Sequence, residues 1–147
     1  LKSIAEDNKE SVLRKSVKSN GINKKTIKHV YHGEINRKDK AVGYHHESMM
    51  SGSRILPGTE EVPDVNGVYR AKVEVKGVKK VARSTFFPKE WDRVKVYNTI
   101  SEAYQNKKLI RDNKYVGKTS SGIDVEMYIN KDGSIATAYP LYKKPKE

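Results

Sequence analysis

The chain has 147 residues, 35 % of them strictly apolar, and a formal net charge of +12. That length is close to the ~150 residues of one domain, and the charge favours a polyanionic partner, either nucleic acid or an anionic surface. No cysteine is present, which excludes disulfide scaffolds, zinc fingers, thiol nucleophiles and iron–sulfur clusters, and no apolar run reaches the ~18 residues of a membrane span.

In chain order, Ser3-Ile4-Ala5-Glu6 has the form of a capping box. Val12, Leu13 and Val17 follow at helical spacing and Gly21 can stop the helix, so a first helix is expected over 3–19. The charged start lacks the apolar core of a signal peptide. It also lacks an initiator Met, as expected of a segment cut from a longer polypeptide. Residues 26–32 alternate, with Ile27, His29 and Tyr31 opposite Lys28, Val30 and His32, and read as a short strand or extended arm. A polar connection over 33–40 leads to a second extended piece over 41–46. Residues 48–67 contain Gly52, Pro57, Gly58 and Pro63 and read as a long loop.

Strands follow. Tyr69, Ala71, Val73 and Val75 alternate with Arg70, Lys72, Glu74 and Lys76, the pattern of a half-buried strand with a basic outer face. Gly77 turns the chain into a second strand over 78–87. Pro88 suits the first turn of a helix over 88–106, whose apolar stripe is Trp91, Val94, Ile100 and Tyr104. Residues 123–129 alternate again, Lys131-Asp132-Gly133 marks a tight turn, and 134–141 returns as the hairpin partner. On that strand strict alternation places Ile135, Thr137 and Tyr139 on one face. Pro140 puts its end at a sheet edge. The fold class is α+β with an antiparallel sheet core.

The charge is uneven. Residues 1–40 carry +6 and residues 69–118 carry +9, flanking a stretch at 41–68 of −3; residues 119–147 are neutral. Blocks of this size fit nucleic acid, since each phosphate neutralised releases counterions. All four histidines, His29, His32, His45 and His46, fall within 18 residues. Three readings compete: ordinary surface or capping histidines, a metal site of His29 and His32 with His45 or His46 and Glu34 or Glu47, and a two-histidine acid–base pair. RNA cleavage through the 2′-hydroxyl needs a base, an acid and a cation beside the charged phosphorane. Imidazole titrates near neutral pH and suits both proton roles, and a lysine suits the third. No phosphate-binding loop, dinucleotide fingerprint or nucleophile elbow is present.

Three segments then resemble one family. His29-Val30-Tyr31-His32-Gly33-Glu34-Ile35-Asn36 followed by Gly43-Tyr44-His45-His46 resembles the paired-histidine region of the EndoU endoribonucleases. Ser84-Thr85-Phe86-Phe87-Pro88 with Trp91 resembles their bacterial toxin branch. The run from Lys131 through Thr137 and Tyr139 to Pro140 is similar to the K-D-G-x-x-x-T-x-Y-P segment of the coronavirus branch. The resemblance covers 26–142, implying an N-terminal helical segment over 1–25, an EndoU-like nuclease domain over 26–142 and a tail over 143–147. It implies a small α+β ribonuclease fold of the barnase-like and RelE-like (BECR) type. It implies His45 as general base, His29 as general acid and Lys80 on the phosphorane, with Thr137 and Tyr139 holding the nucleotide. His46 and Ser84 are possible catalytic or supporting residues, His46 as a rival for His45 in the role of base, and Lys79 is a rival for Lys80. The implied activity is metal-independent, with no cofactor, and yields a 2′,3′-cyclic phosphate and a 5′-hydroxyl. The implied setting is a toxin at the end of an exported polypeptide, as in contact-dependent inhibition. It would act on RNA, tRNA among the choices, in the cytoplasm of target bacteria, and a cognate immunity protein would silence it. Two other classes stay open from the residues alone: a noncatalytic nucleic-acid-binding module, and a metal-dependent nuclease using the histidine cluster.

Overall fold

The computed structural model describes residues 20–47 and 52–145. The helix expected over 3–19 lies outside them. Among the described residues, an α+β arrangement is built from two helices and several antiparallel sheets. Its largest sheet has the order β11-β10-β9-β8, formed by β8 (Lys108–Arg111), β9 (Lys114–Lys118), β10 (Asp124–Ile129) and β11 (Ile135–Pro140). Pro140 sits on the edge strand β11, where a missing backbone donor costs no ladder bond.

The segment expected as an extended arm is instead helix α1 (Lys24–Tyr31). Two local features override the alternation. Asn23 Oδ1 accepts from the Thr26 amide at 2.9 Å, and Thr26 Oγ1 accepts from the Asn23 amide at 3.2 Å, a capping box that nucleates the first turn. Ile27, Val30 and Tyr31 are then spaced for one helical face, with Val30 and Tyr31 buried. Thr26 also donates to the Ile135 carbonyl at 2.6 Å, seating α1 on β11.

The second helix, α2 (Arg93–Gln105), starts later than the expected 88. Pro88 to Trp91 forms a turn (Trp91 N–H to Pro88 O, 3.1 Å), and Asp92 caps the helix by accepting from the Lys95 amide at 2.8 Å. It packs on β9 so closely that a Cβ on Gly117 would lie 1.9 Å from the Ala103 carbonyl oxygen. The hairpin β8–β9 carried no expectation; its exposed outer strand lacks an alternating pattern.

Both expected strands over 69–87 are interrupted. The first splits at Lys72 into β4 (Tyr69–Ala71) and β5 (Val73–Val75), because the Thr59 hydroxyl takes the Lys72 amide at 3.0 Å. The second splits into β6 (Val78–Lys79) and β7 (Ser84–Phe86). β4 pairs with β7, while β5 pairs with β6 and with β3 (Ser53–Ile55), a strand inside the expected long loop. A further pair, β1 (Glu34–Ile35) with β2 (Ala41–Val42), follows α1.

The interior forms two apolar clusters. One joins both helices to the large sheet through Val30, Phe87, Ile100, Val125 and Met127; the other fills the small sheets with Tyr44, Tyr69, Val73, Val75 and Phe86. Burial of this apolar surface is the main force behind the arrangement. Residues 43–46 cross from one cluster to the other, and the candidate site is built on that crossing.

Candidate active site

Residues 43–46 are pinned to α1 by backbone bonds. The Tyr44 amide donates to His29 O at 2.9 Å, and the His45 amide donates to Val30 O at 2.6 Å. A Cβ on Gly43 would lie 2.3 Å from His29 O, so only glycine admits this approach. Tyr44 follows with φ +68, a left-handed conformation that costs a non-glycine residue about 1–2 kcal/mol. Its ring packs edge-on to Phe86 (centroids 5.2 Å apart), which holds the turn in place. The result is that His45 faces His29, with ring centroids 6.1 Å apart.

The two imidazoles differ in their partners. His45 Nδ1 lies 2.8 Å from the Thr85 carbonyl, an acceptor only, so Nδ1 carries the hydrogen and Nε2 keeps its lone pair. Burial pushes the His45 pKa well below its ordinary 6.5, and the charges of Lys80 and His29 push it the same way. His29 Nδ1 lies 3.3 Å from the Glu34 carboxylate. Burial lowers its pKa as well, but Glu34 opposes the shift. The geometry therefore pairs a neutral, proton-accepting ring with one whose protonated form has a carboxylate partner. Such a pair can take a proton on one side of a reacting group and supply one on the other.

Lys80 completes the cluster. Its Nζ donates to Ser84 Oγ at 2.8 Å and to Gly43 O at 3.3 Å, and Ser84 Oγ donates to the same carbonyl at 2.9 Å. Burial lowers its pKa to about 8, so it remains a cation at neutral pH. Lys80 and Ser84 do not lie on one continuous strand over 78–87; the turn between β6 and β7 brings them together. Lys79 is exposed on β6.

Tyr139 closes the other side, its ring centroid 5.3 Å from that of His45. Its face is set by a bulge. Ile129 opposes Ile135 and Tyr128 opposes Thr137, which leaves Ala136 without a partner. Ile135 therefore turns into the core with Ala138, while Thr137 and Tyr139 share the opposite face. The expected grouping of Ile135 with them fails for this reason. The Tyr139 hydroxyl donates to Glu126, whose other oxygen lies 3.3 Å from Lys114 Nζ.

His46 points elsewhere. It is fully buried, its Nε2 lies 2.8 Å from the Trp91 carbonyl, and its ring stands edge-on to Tyr31 at 5.7 Å. Sequence reading considered Glu34 only as a metal ligand and did not single out Glu126. Its spacing from His29 could have marked Glu34; the pairing of β10 with β11, which supplies Glu126, has no local signal. Among the described residues, no group of three or more His, Asp or Glu side chains could hold a metal ion.

Comparison with known proteins supplies the lineage. A protein of Bacillus cereus named "Toxin" is 43 % identical over 119 residues, 78 % of this chain, and the match covers 22 % of that longer protein. The chain thus spans about a fifth of the relative's length. No solved structure matches significantly. Residues 23–142 match the bacterial EndoU nuclease family, and the chain belongs to that family.

Proposed function

We propose that the protein is a metal-independent endoribonuclease that uses the 2′-hydroxyl of its substrate as the nucleophile. The observation that carries this reading is the His29–His45 pair beside Lys80, with His45 Nε2 left as the accepting nitrogen by the Thr85 contact. His45 takes the 2′-hydroxyl proton as that oxygen attacks the adjacent phosphorus. The bond to the 5′-oxygen breaks, and His29 delivers a proton to it. Lys80 faces the extra negative charge of the phosphorane. Thr137 and Tyr139 position the nucleotide, Tyr139 by laying its ring beside the reacting ribose, while Ser84, fully buried, acts only through the Lys80 ammonium it holds. The products are a 2′,3′-cyclic phosphate and a 5′-hydroxyl.

The Bacillus cereus relative's name supports a toxin role, and the share of that protein matched supports a nuclease unit over 26–142 within a larger exported polypeptide. The segment over 1–25 and the tail over 143–147 flank it. The place of action is then the cytoplasm of a target bacterium, and the producer needs an immunity protein. Single-stranded RNA loops, tRNA anticodon loops among them, expose the 2′-hydroxyls this chemistry requires.

Incubation of total RNA with the protein, with and without EDTA, tests the reading. Fragments whose 5′ ends accept a kinase label without prior dephosphorylation, formed equally in EDTA, are expected. Fragments with 5′-phosphates, or cleavage abolished by EDTA, would overturn it.

A further inference from the structure

A concave surface is lined by Lys28, His32 and Gly33, close in the chain to His29. This cleft, of about 410 Å³, opens between α1 and the turn joining β5 to β6. Its charged lining consists of Lys24, Lys28 and Lys76; His32 adds an imidazole, and Ile27 and Gly33 contribute apolar surface. Among the described residues, no aspartate or glutamate lines it. Three ammonium groups around one cleft with no carboxylate in its lining repel one another, an arrangement that an incoming polyanion relieves.

The turn carries a second, independent sign. Val75 pairs with Val78, so Lys76 and Gly77 form a two-residue hairpin loop, with φ values of +49 and +81. Turns with both central residues in the left-handed region favour Asn, Asp or Gly at the first position. Here an exposed lysine stands in that strained conformation, held by its amide bond to Gly52 O at 2.7 Å. Its side chain is exposed, with its stem running beside Gly52. Strain kept in a group that faces a cleft points to use of that group.

The cleft also shares walls with the reacting centre. Lys28 and His32 bracket His29 along α1. Gly33 lies against the 43–44 turn that presents His45: a Cβ there would come within 3.2 Å of Tyr44 Cβ.

We propose that this cleft is a subsite for the RNA backbone, in which Lys24, Lys28 and Lys76 hold a phosphodiester outside the one being cleaved. This rests on the ribonuclease reading above. The subsite would give long substrates affinity that a dinucleotide cannot gain.

The test is binding of a 2′-O-methylated RNA oligonucleotide across a salt series, read by fluorescence anisotropy. This probe has no 2′-hydroxyl to attack, so the measurement is independent of cleavage. Lys76→Asn, a residue that adopts the left-handed turn readily, is expected to keep or raise the melting temperature. It should weaken binding and flatten the salt dependence by about 0.7 in log–log slope for each phosphate no longer neutralised. Lys24→Gln with Lys28→Gln should flatten it further. The pair Lys108→Gln and Lys118→Gln, on β8 and β9 of the large sheet, removes the same charge as the Lys24 and Lys28 pair and should change the slope less. Unchanged affinity and slope in the cleft variants would overturn the proposal and direct the cleft's charge to an acidic protein surface instead. Loss of binding in those variants together with an absence of any RNA cleavage by the parent chain would support the subsite and sink the reaction.

Discussion

His45 and His46 are adjacent in sequence and both are buried, at 4 % and 0 % exposure, yet they belong to regions of opposite character. Around His45 stand Lys80, His29 and Tyr139, groups that bring charge and polarity into the interior. Around His46 stand Tyr31 and the Trp91 carbonyl, with the apolar cluster of the large sheet behind them. The difference teaches that burial alone does not set two histidines apart. Their partners do. The first region keeps unfavourable features, a left-handed Tyr44 and a desolvated lysine, that stability alone would remove. The second holds one unpartnered buried atom among the described residues, His46 Nδ1, and otherwise behaves as core.

The largest expected effect separates the two regions by activity. His29→Ala and His45→Ala should each lower RNA cleavage by about 10²–10⁴-fold, the usual contribution of a positioned acid or base. Melting temperatures should stay near that of the parent. Substantial cleavage by either variant, measured on the same RNA, would reassign its role.

Lys80→Met comes next and makes the two regions diverge in sign. Cleavage should fall by about 10²–10³-fold, because the cation facing the phosphorane is gone. Stability should rise. The folded-state pKa of about 8 lies below the ordinary 10.5, so between those values the unfolded chain binds more protons, and stability increases with pH through that window. At neutral pH the ammonium is charged in both states and its full burial cost is present. A methionine of similar length removes that cost while Ser84 keeps its bond to Gly43 O. A gain on the order of 1–3 kcal/mol is expected, read as a higher urea midpoint; a loss of stability would show that the ammonium holds the β6–β7 turn together.

In the other region, His46→Ala should do the reverse. It removes a packed ring and strands the Trp91 carbonyl, at a combined cost of about 2–4 kcal/mol, with cleavage per folded molecule retained. Equal loss of activity and no loss of stability would place His46 in the chemistry.

How much of this was legible in the sequence follows from the range of each interaction. The α+β class, the 131–133 turn and the paired strands around it rest on alternation and turn chemistry within a few residues, and they are present. The meeting of His29, His45 and Lys80 was reachable only through the resemblance, because it depends on Gly43 approaching α1 and on the β6–β7 turn. Residues 26–32 misled because seven residues fit both periods, and the Asn23–Thr26 box decided between them. The bulge at Ala136 has no signal in the alternation at all, yet it alone puts Thr137 and Tyr139 on the side of the site.

Glu34→Gln is the smallest change and the finest probe of the first region. The carboxylate lies 3.3 Å from His29 Nδ1 and is 40 % exposed, so solvent screens it and a several-fold effect is expected rather than a large one. Its action is on the proton, not the fold. Burial lowers the pKa of both histidines below 6.5, and that of His45 further, so the productive form is neutral His45 with protonated His29. The profile of kcat/KM should therefore be bell-shaped with its optimum on the acid side of 6.5. It should fall again above about pH 8 as Lys80 loses its charge. Glu34 raises the His29 pKa, so its removal must move the alkaline limb to lower pH. The variant should then lose most activity at neutral pH and recover towards the parent as the solution is acidified. A uniform loss at every pH would mean that Glu34 only fixes the ring's orientation, and an unmoved profile would mean that the contact contributes nothing to the reaction.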